Sequence, residues 1–453
     1  MIEYIKLSNF KSFKDITFDL RGKNGKPKPM AFIYGENGSG KSNLISSIYF
    51  LSETFDTLSN QEKILNFKRH DILSSLAIED EKFKEKLLDQ IIKKEFSNLE
   101  SIIHTNKTIN SEEHMKVEIG FYINDYHGSY YAEFNDDTIV FEELKYIISE
   151  RTGVYFKISH NKKHLSPSIF HDTIYKDELL DLLEKYWGKH SFMSIIDYEM
   201  KSKNTQYISK RIDSHFITLI DSLRKISVLC KYNNSQKGKI SIPFHFLGAL
   251  EKGTITSKEK KELYAFEDAL NTFFTSLYAD VKKVFYNFTE ENNGKTSYEL
   301  FFSKMINGEL LNIPFSLEST GTQKLLDTFP FIFSSVAGAD VFIDEIDSDI
   351  HDLLICEIID YLSDSINGQF IATTHNTLLM KKLKKEYIYI LQSDVYGNKK
   401  IVSINEYEFR TQNNHNTQNK YLDGSYNGVP FASYIDFNEL VDDVEEALSS
   451  RDK

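Results

Sequence analysis

Apolar and polar residues alternate over IEYIKLSNF and again over ITFDL, a period of two that predicts two short strands within residues 1–20, joined by KSFKD. The turn-rich connector RGKNGKPKP follows, and then MAFIYG, an unbroken apolar run that predicts a buried strand. In NLISSIYFLSETF the period becomes helical, with Leu44, Ile45, Ile48 and Leu51 on one face. From about residue 60 to 115 the pattern is charged and helical, and KFKEKLLDQIIKKEF is its clearest amphipathic piece. Period two returns over 116–146, where KVEIGFYIN, SYYAEF and TIVFEELKY predict an antiparallel meander.

Residues 160–280 read as mostly helical through DELLDLLEKYW, HFITLIDSLRKI and ELYAFEDALNTFFTSLYADVKKVF. These segments are too short, and their heptads too irregular, for a long coiled-coil arm. Strands KVFYNF, SYELFFSKM and LLNIPFSL are expected over 283–315, then a helix over about 321–337. Strand DVFIDE, helix DLLICEIIDYLSDS and strands QFIATTH and YIYILQ complete the alternation, which implies a parallel sheet. The expected fold class is therefore α/β, with a mixed parallel core sheet, an antiparallel β meander and a largely helical insertion. The expected organisation is an N-terminal lobe over 1–150, a helical insertion over 151–282, a C-terminal lobe over 283–405 and a tail over 406–453. That tail is polar with aromatics and closes on the acidic amphipathic piece NELVDDVEEALSS.

Composition changes this picture little. Hydrophobic residues make up 41% and charged residues 27% of the 453, the balance of a globular protein. Neither a membrane span nor a signal peptide is legible, so the expectation is a cytoplasmic protein with no membrane contact. The net charge of −13 gives no support to general phosphate-backbone binding, although Lys381, Lys382, Lys384 and Lys385 form a local cluster, read as a solvated helix end. Cys230 and Cys356 are too few for a disulfide framework or a zinc site, and read as buried thiols.

Candidate chemistry starts at Gly35, Glu36, Asn37, Gly38, Ser39, Gly40, Lys41 and Ser42, which fit G-x-x-x-x-G-K-[ST] and run on into Asn43. The glycines let backbone N–H groups turn inward around phosphate oxygens, and the following helix adds the positive end of its dipole. Lys41 is placed to reach the β and γ phosphates, and the Ser42 hydroxyl to ligate Mg2+. The bland alternative, a glycine-rich surface turn, does not account for the strand before and the helix after. Val341-Phe-Ile-Asp344-Glu345 is a second element: an apolar strand delivering two acids to the sheet edge. There Asp344 is expected to hold Mg2+, directly or through water, and Glu345 to polarise the attacking water. His375, after the strand QFIATT, is a candidate γ-phosphate contact, and the structural reading of a lone histidine stands beside it. Ser319 is a natural N-cap and Gly321 permits close approach to the backbone, so the helix start at Leu317–Lys324 suits a γ-phosphate; a simple capped helix is the alternative.

These four elements in this order resemble the ATP-binding-cassette ATPases of the SMC, RecF and OLD kind. Ser319 and Gly321 match the Ser and second Gly of that superfamily's LSGGQ signature, while Thr320 and Thr322 depart from it. The form E-S-x-G-T is similar to the group called AAA-fifteen ATPases of bacterial defence loci, as are LSNFKSF, SYYAEFNDDTIVFEELKY, DEIDSDIH and YLDGSYNGVP. About half the chain is covered, and the helical region from about 150 to 280 is not.

The resemblance implies an ABC-type ATPase head that works in pairs. ATP would lie on the phosphate loop of one copy while Ser319 and Gly321 of another close over its γ-phosphate, giving a dimer or a ring of dimers. It places Asp347 near that interface, offers Gln61 by position as the glutamine between lobes, and Phe10 or Phe13 as the ring stacking on adenine. It further implies a sensor or scaffold subunit of an abortive-infection system, similar to the ATPase of PARIS-type systems. A separate nuclease or toxin, such as a TOPRIM nuclease, would be the effector, with a phage protein as trigger. The tail lacks the E…D-x-D arrangement of a two-metal nuclease, so any nuclease is expected in trans. A DNA-repair ATPase of the RecF or SMC type and a nucleotide-gated scaffold with negligible turnover are the alternatives. A GTPase is disfavoured because TTHNTLLMKK offers no N-K-x-D-like segment.

Overall fold

The computed structural model describes residues 1–69, 98–232, 235–241, 249–256, 259–291, 295–407, 417–429 and 435–449. The expected helix KFKEKLLDQIIKKEF lies outside them. The chain opens with strands β1 (Ile2–Phe10), β2 (Phe13–Asp19) and β3 (Met30–Tyr34), then helices α1 (Lys41–Arg69) and α2 (Leu99–Asn106). Strands β4 (Met115–Ile123), β5 (Tyr126–Phe134), β6 (Ile139–Ile148), β7 (Arg151–Ser159) and β8 (Lys162–Leu165) follow. Next are helices α3 (Thr173–Tyr186), α4 (Phe192–Ser202), α5 (Thr205–Ser209) and α6 (Ser214–Leu223), strands β9 (Ile226–Tyr232), β10 (Ser235–Lys239) and β11 (Lys252–Ile255), and helix α7 (Lys260–Leu277). Strands β12 (Val281–Glu290), β13 (Thr296–Ile306) and β14 (Glu309–Pro314) lead to α8 (Thr320–Val336), β15 (Asp340–Ile343), α9 (Asp352–Ser363) and β16 (Gln369–Thr373). The chain closes with β17 (Ile388–Ser393), β18 (Lys399–Ser403), α10 (Thr417–Leu422) and α11 (Phe437–Ser449).

Among the described residues three sheets form. The first is wholly antiparallel, in the order β2-β1-β4-β5-β6-β7-β8. The central one runs β10-β9-β15-β16-β3-β17-β18, parallel from β9 to β17 with an antiparallel strand on each edge. The third is β11-β13-β12 with β14 on β13. The α/β class with a mixed parallel core sheet and an antiparallel meander is therefore the architecture observed. The central strands β3, β15 and β16 are buried on both faces, which explains the apolar runs Met30–Tyr34, Val341–Ile343 and Phe370–Ala372.

Period-two alternation divides each central strand between two cores. Ala31, Ile33, Phe342 and Ile371 face the core shared with α1 and the first sheet. Met30, Phe32, Tyr34, Val341, Ile343, Phe370 and Ala372 face the core shared with α7, α8, α9 and the third sheet. The buried Gln369 ties the meander to this sheet: its amide oxygen accepts the Ile2 N–H at 2.9 Å, and its amide nitrogen donates to the Ile2 and Lys28 carbonyls, both at 2.9 Å.

The helical reading of 160–280 holds for α3 to α7 but not at β8, β9, β10 and β11. The run ISVLCKY is a strand beside β15, pairing Val228 with Phe342 and Leu229 with Ile343. It has a ready-made parallel edge to join and buries Val228, Leu229 and Cys230 in doing so. Cys230 and Cys356 are both free and buried. Among the described residues no helix is long and apolar enough to cross a membrane.

Candidate active site

Because β15, β16 and β3 are adjacent and parallel, their C-terminal ends share one edge, with neighbours about 4.8 Å apart. Each predicted element leaves from that edge: the phosphate loop from β3, Asp344 and Glu345 from β15, and His375 from β16.

The loop from Gly35 to Gly40 turns the chain into α1 through residues of positive φ, including Gly40 at +110°. A Cβ on Gly40 would lie 2.8 Å from the Phe13 ring, so glycine is required there by space as well as by angle. Lys41 is buried and folds back over the loop, donating to the Gly35 carbonyl at 2.7 Å and the Glu36 carbonyl at 3.0 Å. Burial pushes its ammonium below the usual range, against the opposing pull of Asp344, Glu345, Asp347 and Glu36. Ser39 carries a buried hydroxyl with no partner. Ser42, in the first turn of α1, is half-buried. The Asn43 side chain donates to Ser12 Oγ at 2.7 Å, and Lys399 reaches the loop from β18, donating to the Gly38 carbonyl and Ser12 Oγ, both at 2.8 Å.

Asp344 is 5% exposed. Its Oδ1 accepts the Thr373 hydroxyl at 2.7 Å, while its Oδ2 is buried with no partner. A buried carboxylate oxygen without a donor is costly unless a cation or a water meets it. The donor set at this edge (a carboxylate oxygen and the serine hydroxyl of the phosphate loop) is hard oxygen chemistry, and it fits Mg2+. Glu345 takes a left-handed backbone, φ +51°, with its N–H bonded to Thr373 Oγ1 at 2.7 Å. Its Oε2 lies 2.5 Å from Lys231 Nζ. His375 is exposed and its backbone N–H donates to Asp347 Oδ2 at 3.0 Å. Partial burial, then the Lys41 charge, lower the His375 pKa, so the ring favours the neutral form.

The signature segment lies at a neighbouring surface. Ser319 caps α8, its Oγ accepting the Thr322 N–H at 3.2 Å, and both Ser319 and Thr320 are exposed. Gly321 packs against the turn after the acid pair, where a Cβ would lie 2.5 Å from the Asp349 carbonyl oxygen.

Two readings need correction. Phe10 and Phe13 are fully buried, at the end of β1 and the start of β2, so neither ring is free to stack on a base. Gln61 sits 20 residues into the helix that Lys41 opens, roughly 30 Å along its axis, and bonds His190 instead. Lys231 joins the site without a sequence signal: no local motif marks it, and its strand follows directly on an amphipathic helix.

A protein-family model described as "AAA domain, putative AbiEii toxin, Type IV TA system" matches residues 59–381 of this chain, a span that holds Ser319, Asp344, Glu345 and His375 and begins after the phosphate loop. Among curated proteins, the chromosome partition protein Smc of Methanocaldococcus jannaschii is 46% identical over 50 residues, which is 11% of this chain and only 4% of that protein. Among solved structures, the SmcHead bound to the C-winged helix domain of ScpA is 16% identical with a TM-score of 0.41, covering 88% of this chain and 96% of that one. The SMC head domain from Thermotoga maritima is 14% identical with a TM-score of 0.37, covering 89% and 98% respectively.

Proposed function

Since the chain belongs to the AAA-domain family of that description and is thus a P-loop ATPase, we propose that it hydrolyses ATP between paired copies of itself, as sensor of a two-component defence system. The observation that carries the catalytic part is the buried, unpartnered Oδ2 of Asp344, at the same sheet edge as Lys41 and the phosphate loop.

Phosphate binding follows from the loop: the N–H groups of residues 35–43 surround the β and γ phosphates, and Lys41 leaves its own loop carbonyls for their oxygens. Ser42 and Asp344 would hold Mg2+, which when bound neutralises charge on those oxygens. Glu345 accepts a proton from the attacking water, and neutral His375 donates to the γ-phosphate. Ser319 and Gly321 of the second copy close the site, consistent with the exposure of Ser319 in a single chain. ATP thereby favours the paired state by its higher affinity for it. Glu345→Gln is expected to trap an ATP-bound oligomer and Lys41→Ala to abolish nucleotide binding. Wild-type turnover in both variants would sink this mechanism.

The family description names a putative toxin of a toxin–antitoxin system, which supports a defence setting; the part we propose beyond it is that the toxic activity resides in a second protein, such as a nuclease, with a phage protein as trigger. Tagged Glu345→Gln protein, recovered from its native cells with nuclease treatment, should bring down one near-stoichiometric protein that is lost with Lys41→Ala. A second reading, a DNA-metabolism ATPase, is favoured by the Smc segment. Against it stand the net charge of −13 and the pairing of Lys382 with Asp360 at 3.1 Å. Salt-sensitive DNA binding that strengthens with ATP would select it.

A further inference from the structure

Lys231, on β9, and Glu345, just past the end of β15, occupy equivalent places in the register. The parallel register pairs Leu229 with Ile343, and each of the two residues lies two positions further on. The ladder continues past the strand end, where the Asp344 N–H donates to the Leu229 carbonyl at 2.8 Å. Lys231 thus rises beside Glu345 from a fixed base. It is 62% exposed, unlike Leu229 and Cys230 before it, so packing does not explain its position.

Glu345 is held on two sides. Thr373 fixes its backbone from β16, in a left-handed conformation that non-glycine residues rarely adopt. Lys231 then takes Oε2 at 2.5 Å. The same hydrogen bond holds the Lys231 ammonium above its usual range. Half-buried Lys324, in the first turns of α8, adds a second cation whose field includes Glu345, Asp349 and Lys231.

We infer that Lys231 is a positioning residue that acts as a brake: it occupies the Glu345 carboxylate in the resting chain and must release it before that carboxylate can take a proton from water. The inference rests on Glu345 being the base. The pair takes one of the two carboxylate oxygens and holds the group turned toward β9, so turning it to the attacking water requires the pair to loosen. Because Lys231 is largely exposed, shortening or neutralising it leaves both cores intact.

The test is single-turnover ATP hydrolysis by the full chain at saturating ATP and Mg2+, with ATP affinity measured separately. Lys231→Gln should raise the hydrolysis rate constant by about two- to five-fold, the rate equivalent of a partly exposed ion pair, and leave the Kd for ATP within about two-fold. Lys231→Arg, which keeps the charge, should restore the wild-type rate. The double variant Lys231→Gln/Glu345→Gln should be no faster than Glu345→Gln alone. An unchanged or slower Lys231→Gln beside an inactive Glu345→Gln overturns the brake and leaves the proposed function standing. A Glu345→Gln variant with wild-type turnover overturns both.

Discussion

The hydroxyl of Thr373 joins the two acids of the site, donating to Asp344 Oδ1 and accepting the Glu345 N–H, each at 2.7 Å. One buried side chain on β16 therefore orients the two residues that follow β15. Thr373→Val keeps the shape and removes both bonds, leaving buried polar groups unsatisfied. The expected cost is about 1–3 kcal/mol of stability, read by urea denaturation, with ATP turnover falling in parallel. Thr373→Ser should recover most of both.

Under the proposed function, Gly321→Ala should separate nucleotide binding from pairing. An added Cβ would meet the Asp349 carbonyl oxygen at 2.5 Å, so Gly321→Ala must push the start of α8 away from the turn after the acid pair. The phosphate loop is untouched by that shift. The expected result is unchanged ATP binding by the single chain, with ATP-dependent association of the Glu345→Gln protein weakened about ten-fold or more, measured by light scattering during gel filtration.

A buried carboxylate anchors α4. Glu142 accepts from the Phe192 N–H at 2.7 Å, the Met193 N–H at 3.3 Å, the Trp187 indole at 3.0 Å and the Tyr130 hydroxyl at 2.9 Å. Burial raises its pKa, and these four donors oppose the rise. Glu142→Ala strands all four, and the expected loss is about 3–5 kcal/mol in chemical denaturation.

His190 makes stability depend on pH. It bridges α1 through Thr57 Oγ1 at 3.0 Å and Gln61 Oε1 at 3.1 Å, and burial pushes its pKa from 6.5 to about 4. Between those values the unfolded chain binds the proton and the folded chain does not, so the folded state loses stability as pH falls from about 6.5 toward 4. The loss reaches as much as about 3 kcal/mol, and less in proportion to the ring's remaining access to water. The urea midpoint of the wild-type protein should fall between pH 7 and pH 4.5 by more than that of His190→Gln, which has no such group to titrate.

What could be read in the sequence was local. MAFIY, DVFI and QFIAT announce buried strands because both their faces are covered, and the phosphate loop announces itself because glycine and lysine at that spacing have few other uses. Ser319 and Gly321 were legible for the same reason, as a cap and a close approach. ISVLCKY was not, since a seven-residue stretch with Ser227 and Lys231 among its apolar residues, just after an amphipathic helix, keeps no clear period and is assigned by its neighbour on the sheet. Lys231 was lost with it. The Gln61 and Phe13 readings failed on geometry: distance along α1 in one case, burial in the other.

The central position of β3 also governs when the molecule becomes competent during synthesis. Its two partners are β16, which pairs Phe370 with Met30, and β17, which pairs Ile388 with Phe32. A ribosome that has made the phosphate loop must translate more than 300 further residues before that strand has a neighbour on either side. Until then the loop lacks the edge from which it is displayed, and the acids that work with it are not yet made. Nucleotide competence therefore arrives late and all at once, and a prematurely terminated chain carries the motif without the enzyme.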